Sequence, residues 1–359
     1  MTFSANRSLL FLFTGLLWGC QVSEGYKGTG KRTIIELQLS DEMTTQRPAN
    51  FEMKENMEIA FRPVIRVENS PPYDYVEAKV SKNKVKWEFL SDKPIEMNYG
   101  FGKLNLVSPG DSIRIKYHND EPFFIGRGAN KLMTWKMLLE EGKRLGIPTK
   151  NCNTIHSIND YLNWSRYLDQ KLSLLLPILD SNKAKLQPFE YNYLKSALVG
   201  SIENDRIDAY TALRKHSMND SASGITASNL IAVWDSTQYK HWGKWLRGLP
   251  DYYGSTYTLS RFNQMETLRK LNFDVTNEKF KSKEELPTLF YNNAKQNYNG
   301  VTRERLLALI LDEVFIDGLG FNNTATQAAL MDYYRQPGFP EYKQMVKGLE
   351  GKSGKLVKK

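Results

Sequence analysis

Cysteine is scarce in this chain, which has only Cys20 and Cys152 among its 359 residues. Thiol–disulfide exchange needs an attacking thiolate of low pKa and a nearby resolving thiol, usually in a Cys-x-x-Cys pair. Two cysteines so far apart in the sequence exclude that motif, and they exclude a disulfide-rich framework as well. If the thiol of Cys20 is acylated, Cys152 is left as a single thiol, either buried and inert or exposed and reactive, and free cysteines are most often buried.

Residues typical of catalytic and metal sites are also sparse. No histidine stands at metal-ligand spacing from another; the four are His118, His156, His216 and His241. The segment Gly126-x-Gly128 lacks the third glycine and the preceding strand–helix–strand pattern of a dinucleotide site, and no Gly-x-Ser-x-Gly elbow occurs. The sequence thus predicts no metal, no cofactor and no catalytic residue. An enzyme of unrecognised type is the alternative.

Long apolar runs are missing after the N-terminus, so no later segment is predicted to span a bilayer, which takes about 20 apolar residues. The N-terminus carries Arg7 and then the short apolar run Leu9–Leu17. A cation, a short apolar run and a small residue, in this order, predict a secretory signal peptide.

Cys20 follows Gly19 directly, which makes this segment similar to a bacterial lipoprotein signal, where cleavage precedes an acylated cysteine. Trp18 departs from that pattern, because a small residue is usual at its position. The resemblance implies a cell-envelope protein anchored to the membrane by lipid on Cys20. Residues Gln21–Glu24 lack an acidic export cluster, which favours an anchor facing the periplasm. The alternatives are an ordinary signal peptide cut at Gly19 and a buried apolar N-terminus.

Acidic residues are fewer than basic ones, 40 against 49, so the formal net charge is +9. Without the predicted signal peptide, which has one arginine and no acid, the charge is 48 − 40 = +8. A basic protein can bind nucleic acid or anionic lipid, but an exported protein rarely meets nucleic acid. We therefore expect a solvated basic surface and no nucleic-acid partner.

Residues 33–127 alternate apolar and polar side chains in short runs separated by turn formers. In Ser112–Tyr117 one side is apolar and the other charged, as expected for a sheet with one face on a core and one in water. The other runs are Thr33–Leu39, Tyr75–Val80, Lys84–Leu90, Ile95–Tyr99, Lys103–Val107 and Phe123–Ile125. Many short strands at this spacing predict an antiparallel β-sandwich.

From residue 128 onwards the apolar period changes to three to four, which predicts helices. These helices are Lys131–Leu145, Ile158–Leu179, Phe189–Met218, Ile225–Tyr239, Leu259–Leu271, Leu286–Tyr298, Thr302–Ile316, Thr324–Tyr334 and Glu341–Leu349. Pro177 is expected to kink or end the second.

Strands in the first third and helices in the rest predict an α+β chain. The expected organisation is a signal peptide (1–19), a tether (20–32), an N-terminal antiparallel β-sandwich domain (33–127), an all-α helical domain (128–350) and a basic tail (351–359).

Two glycine-containing turns flank the last two predicted strands. Pro109-Gly110 suits a type II turn, in which proline sets φ and glycine takes a positive φ. Asp111 is expected to accept hydrogen bonds from the backbone amides that follow it. Gly126 and Gly128 are expected to let the chain turn from the last strand into the first helix.

Three segments of the sequence stand out together, in the order Ser108–Ile113, Phe124–Asn130 and Asn299–Ala308. With the N-terminal segment, they resemble the region that precedes the thioredoxin domain in lipid-anchored thioredoxin-like proteins of the TlpA/ResA type from Bacteroidetes. The resemblance covers about Thr33 to Leu349, and its motifs are short. It implies a similar fold and the cell-envelope compartment.

The resemblance does not extend to redox chemistry, because no Cys-x-x-Cys occurs. The stretch Tyr342–Leu356 resembles the linker helix that precedes the thioredoxin domain in that family. We therefore expect a non-catalytic accessory or docking module whose protein partner is a separate thioredoxin-like subunit. The alternative is one part of a split thiol–disulfide oxidoreductase.

The segment Trp234–Tyr257 is dense in aromatic residues interleaved with cations. Its candidate binding residues are Trp242, Trp245 and Tyr253, because aromatic faces stack on sugars, and Trp and Tyr also anchor protein interfaces. This pattern supports an alternative function as a glycan-binding outer-membrane lipoprotein. It also fits a helical core with Trp and Tyr at its rim.

Overall fold

The computed structural model describes residues 30–38, 58–63, 74–77, 79–81, 84–91, 94–98, 106–118, 121–145, 154–219, 223–239, 253–270, 285–316, 324–338, 342–344 and 346–348. The fold is α+β, as predicted. The strands end at Arg127 and the first long helix begins at Ala129.

The strands of the described residues form two sheets. They are β1 (Lys31–Gln38), β2 (Glu58–Pro63), β3 (Asp74–Glu77), β4 (Lys79–Ser81), β5 (Lys84–Ser91), β6 (Ile95–Asn98), β7 (Leu106–Val107), β8 (Ser112–His118) and β9 (Glu121–Arg127). Four long strands lie in the order β5-β1-β8-β9, with the short β4 beside β5. The order β3-β2-β6-β7 makes a second sheet of short strands, and its strand β2 was not predicted from the sequence.

The long-stranded sheet is mixed, which corrects the predicted antiparallel sandwich. Strand β1 pairs antiparallel with β5 but parallel with β8. A parallel pair needs a crossover connection between its strands, whereas neighbouring antiparallel strands need only a hairpin. The alternation of apolar and polar side chains shows which residues face the core. This alternation is the same in parallel and in antiparallel strands. The sequence pattern could therefore not reveal the direction of β8 relative to β1.

The two faces of this mixed sheet differ as the alternation predicted. Ile35 lies opposite Trp87 in β5 and Ile113 in β8, and all three are at most 2% exposed. The next residue in β1, Glu36, points to the other face and lies 2.7 Å from Arg114 in an ion pair. Burial of the apolar stripe stabilises the sheet by about 25 cal/mol for each Å² removed from water, while the charged face stays solvated.

The helical region matches the predicted helices to within a few residues in most places. The helices are α1 (Ala129–Arg144), α2 (Ile158–Ser181), α3 (Pro188–Asn219), α4 (Ala227–Trp234), α5 (Tyr253–Lys270), α6 (Leu286–Asn297), α7 (Gly300–Ile316) and α8 (Thr324–Arg335). A π-helical turn, Asp235–Tyr239, continues α4. Helix α2 runs through Pro177, so this proline does not end it. None of the helices in the described part of the chain is long and apolar enough to cross a membrane.

Trp234 lies at the centre of the helical core. It is fully buried, and its ring packs 4.8 Å from that of Tyr210 in α3 and 5.6 Å from that of Phe262 in α5. Its indole N–H donates to Glu266 Oε1 at 2.5 Å. A buried indole N–H needs such a partner to offset its lost hydration. The first tryptophan of the aromatic segment is therefore part of the core.

Helices α2 and α3 are joined by contacts of the buried Arg206. Its guanidinium donates to Glu203 Oε2 (2.7 Å), to Asp169 Oδ1 (2.6 Å) and to the carbonyl oxygen of Ser165 (3.1 Å). Glu203 and Arg206 are both almost fully buried. Burial raises the pKa of Glu203 from 4.5 to about 7, in spite of the opposing effect of Arg206.

We expect the protein to lose stability as the pH rises from 4.5 to about 7, because Glu203 binds its proton more tightly when folded than when unfolded. Urea unfolding across this range measures the loss. Glu203→Gln should flatten the dependence. Glu88→Gln is the matched control, because hydrogen bonds from Arg32 and Lys86 lower the pKa of Glu88 to about 2, below this range. An equal flattening by both variants would contradict the assignment.

Candidate functional site

A buried cluster of charges connects the mixed sheet to the helices, and we call it the joint. It consists of Ser108, Asp111, Lys131 and Glu190. Lys131 Nζ lies 2.5 Å from Asp111 Oδ2 and 2.7 Å from Glu190 Oε1. The Ser108 hydroxyl donates to Glu190 Oε1 (2.8 Å), and its backbone N–H donates to Asp111 Oδ2 (2.7 Å). The side chains of Lys131, Asp111 and Glu190 are 0%, 4% and 5% exposed, so the joint is closed to solvent.

Local sequence puts the two helical members of the joint in place. Lys131 lies on the same side of α1 as the buried residues Thr134 and Leu138, at three-to-four spacing. Glu190 lies in the first turn of α3 and accepts from the backbone N–H of Gln187 at 3.0 Å. A carboxylate is favourable there because it satisfies a free amide and complements the helix dipole.

The Pro109–Asp111 turn is bound to the start of β1. The N–H of Gly110 donates to the hydroxyl of the buried Thr33 at 3.0 Å, and the N–H of Ile34 donates to the carbonyl oxygen of Asp111 at 2.9 Å. Gly110 has a φ of 87°, as the predicted turn requires. The prediction for the Asp111 carboxylate is corrected, because it accepts from the preceding Ser108 and from Lys131.

The turn into α1 is built on two glycines, as predicted. Gly126 and Gly128 have φ values of 108° and 91°. A Cβ on Gly126 would lie 2.2 Å from the carbonyl oxygen of Ser112, and one on Gly128 would lie 2.1 Å from Asp111 Oδ1. Neither position leaves space for a side chain. The second and first motif segments therefore touch each other at the joint.

The electrostatics of the joint favour a structural role. Burial raises the pKa of Asp111 above its ordinary value, while Lys131 acts in the opposite direction. The ammonium of Lys131 has three donors, and its third neighbour is the Ser108 hydroxyl at 3.4 Å. Because these donors are already engaged by protein oxygens, Lys131 has none left for a substrate.

The roles of Lys131 and Glu190 were not predicted from the sequence. The sequence pattern could have indicated a buried charge at Lys131, because this lysine lies on the apolar side of α1 with Leu138. A lysine at such a position must either reach the surface or find a buried carboxylate. The identity of that carboxylate depends on packing between residues 59 positions apart, which no local pattern specifies.

The third motif segment lines a small cavity of about 320 Å³ between α7 and the end of α8. Its lining residues are Gly300, Arg303, Glu304, Leu307, Tyr333, Gln336, Pro337 and Gly338. Burial raises the pKa of Tyr333 above its ordinary value, so its phenol stays protonated. Its hydroxyl has no hydrogen-bond partner within the described residues. The cavity therefore has hydrogen-bonding groups, but the three motif segments do not converge on one site.

The residues predicted to carry function fall largely outside the described residues. This holds for Cys20, Cys152, Trp242 and Trp245. Tyr253 begins helix α5, and its backbone alone is described. Lipidation of Cys20 and glycan binding by the aromatic residues therefore stay predictions.

Among the residues that the structure describes, no group of three or more His, Cys, Asp or Glu is arranged to hold a metal ion. Comparison of the chain with protein-family models, curated proteins and solved structures finds no match.

We expect Gly128→Ala to destabilise the protein by at least about 3 kcal/mol, because the new Cβ displaces Asp111 from a buried ion pair. Gly224→Ala is the matched control. Gly224 also has a positive φ, 66°, but a Cβ there meets nothing within 4 Å. That variant should lose only about 1 kcal/mol from backbone strain. Chemical denaturation measures both. Equal losses would show that the joint does not fix the position of Asp111.

Proposed function

We propose that this chain is a lipid-anchored cell-envelope protein, tethered through Cys20, that serves as a non-catalytic docking module for a thioredoxin-like subunit. The observation that carries the proposal is the joint. The first two motif segments, on which the resemblance partly depends, provide Ser108, Asp111, Gly126 and Gly128, and these residues build the contact between sheet and helices. These four residues hold the fold together. This structural role supports the proposal that the chain positions a partner.

A surface suitable for a partner lies next to the joint. We call it the β9 patch, defined as Phe123 and Ile125 of β9 with Met133 and Met137 of α1. These side chains are 48%, 50%, 40% and 43% exposed. Exposed large apolar side chains on two neighbouring elements suit a protein-binding surface, and methionine adapts readily to a partner. Among the strands that the structure describes, β9 is the last in its sheet, and edge strands are common docking elements.

Lys136 connects the two elements of the β9 patch. Its ammonium lies 4.8 Å from the ring centre of Phe123 and 2.8 Å from Glu121 Oε2. It also donates to the carbonyl oxygen of Pro122 at 3.2 Å. These contacts hold α1 against β9, so the apolar side chains are presented on a preorganised surface. A preorganised surface binds with a smaller loss of conformational entropy.

The chemistry of the partner follows from the resemblance and from the cysteines. Cys20 and Cys152 cannot form a Cys-x-x-Cys pair. Proteins of the TlpA/ResA type, which this chain resembles, have a thioredoxin domain after a region similar to this one. A thioredoxin-like subunit is therefore the partner that we propose.

Lipidation is expected to depend on Cys20. Expressed with a clickable palmitate in a bacterium that processes lipoproteins, the wild-type chain should incorporate label and sediment with membranes. Cys20→Ser should lose the label and the membrane association, because acyl chains contribute about 0.8 kcal/mol per buried methylene. Cys152→Ser is the matched control and should behave as wild type. Label retained in Cys20→Ser would contradict the anchor.

Docking is expected at the β9 patch. A photo-crosslinking amino acid replacing Phe123 should capture a thioredoxin-like protein in the envelope of the native host, identified by mass spectrometry. The same amino acid replacing Met331 of α8, which is 62% exposed, is the control and should not capture it. Equal capture at both positions, or capture at Phe123 only of proteins without a thioredoxin-like domain, would contradict the proposed partner.

A further inference from the structure

A cleft of about 500 Å³ opens to solvent directly above the joint. It is lined by Lys31, Arg32, Pro109, Gly110, Asp111, Arg127, Gly128, Asn130, Lys185, Gln187 and Glu190. This volume lies within the range of small-molecule sites, about 300–1,000 Å³. The lining comes from the start of β1, the turn before β8, the end of β9, and the starts of α1 and α3. Four separate segments of the chain, residues 31–32, 109–111, 127–130 and 185–190, therefore converge on it.

The cleft has an excess of positive charge. Its two carboxylates, Asp111 and Glu190, are both bound to the buried Lys131 beneath it. Arg32 pairs with Glu88 of β5 at 2.5 Å, so its charge is partly compensated.

The remaining cations of the lining are Lys31, Arg127 and Lys185, and all three are exposed. Within the described part of the chain, none of them forms a salt bridge. Lys185 donates to the amide oxygen of Asn182 at 3.3 Å, a neutral partner. Three uncompensated cations at one opening attract anions, and the walls of a cleft concentrate their field.

The side-chain stem of Lys31 and the guanidinium of Arg127 both lie beside Gly110. A Cβ on Gly110 would lie 3.3 Å from Cδ of Lys31 and 3.8 Å from Nη2 of Arg127. The absence of a side chain at Gly110 thus leaves room between the lysine and the guanidinium. The backbone below cannot move away, because Gly110 is bound to Thr33 and the adjacent Asp111 to Lys131. The floor of the cleft is therefore preorganised.

We propose that this cleft binds a phosphate-bearing anion, with Arg127 and Lys31 on the phosphate oxygens and Lys185 at the rim. A guanidinium matches two phosphate oxygens in a bidentate contact, and an ammonium contributes a compact point charge. A phosphate group has enough oxygens for all three cations. The buried carboxylates repel an anion from the base of the cleft, so the phosphate lies at the level of Gly110 and Arg127.

Two sources could present this phosphate, a small phosphorylated solute or the headgroup of an anionic phospholipid. The second source rests on the lipid anchor proposed above. Lys31 lies 31 − 20 = 11 residues after Cys20, a stretch of at most about 40 Å when fully extended. Headgroups are thus within reach of the cleft if Cys20 is acylated. Binding of a free phosphate does not depend on the anchor.

The test uses the full chain in two assays. Isothermal titration with inorganic phosphate measures the free anion, and co-flotation compares phosphatidylcholine vesicles with vesicles that also contain phosphatidylglycerol. The double variant Lys31→Gln/Arg127→Gln removes two cleft charges. The matched control, Lys116→Gln/Lys215→Gln, removes two exposed charges outside the cleft. Circular dichroism confirms that both variants fold, as expected for exposed positions.

The cleft variant should weaken anion binding at least about tenfold, and the control variant less than about twofold. If the cleft variant loses binding to both inorganic phosphate and phosphatidylglycerol vesicles, the cleft is a general phosphate site. If it loses binding to the vesicles alone, the cleft is a site for the lipid headgroup. Equal weakening by the two variants, or no binding of either probe by the wild-type chain, overturns the proposal. Because free phosphate binds without a lipid anchor, this outcome is independent of Cys20 and of the docking partner.

Discussion

The contact of Lys131 with Asp111 and Glu190 is the constraint on which the arrangement of this protein depends. Three charged groups are removed from water, which is tolerated only when each one is satisfied by the others. Asp111 comes from the turn before β8, Lys131 from the first turn of α1 and Glu190 from the first turn of α3. The sheet and two helices therefore share one electrostatic contact. The glycine at position 128 follows from it, because any Cβ there would occupy the position of the Asp111 carboxylate.

The proposed functions use surfaces that the joint supports. The cleft lies on its solvent side, and the β9 patch lies where β9 and α1 lead away from the turn at Gly128. Both surfaces are therefore carried by backbone that cannot easily shift. Binding a phosphate-bearing anion and binding a protein are different tasks, but each gains from a rigid support because less conformational entropy is lost. The buried ionic contact has no donor of Lys131 left for a substrate, but it can fix the backbone that carries two binding surfaces.

Much of the secondary structure could be predicted from the sequence, because it reflects local periodicity. Helix α2 begins at Ile158 and β8 begins at Ser112, as the patterns predicted. Strand β2 was not predicted, and the parallel pairing of β1 with β8 was not predicted either, because strand direction is set by partners distant in sequence. The turn glycines were predicted from their chemistry, whereas Lys131 and Glu190 were not. A single lysine on the apolar side of a helix indicates that a buried carboxylate partner is needed. It does not show which carboxylate in the sequence is that partner.

The sequence by itself determined the α+β order of the elements, the alternation that gives the mixed sheet one apolar and one charged face, and the glycines at the two turns. These properties depend on residues within a few positions of each other. Only the tertiary structure decided that the sheet is mixed, that Asp111 and Glu190 share Lys131, and that Lys31, Arg127 and Lys185 border one cleft. Each of these depends on residues that are far apart in the chain and close in space, and on the cost of burying a charge without a partner.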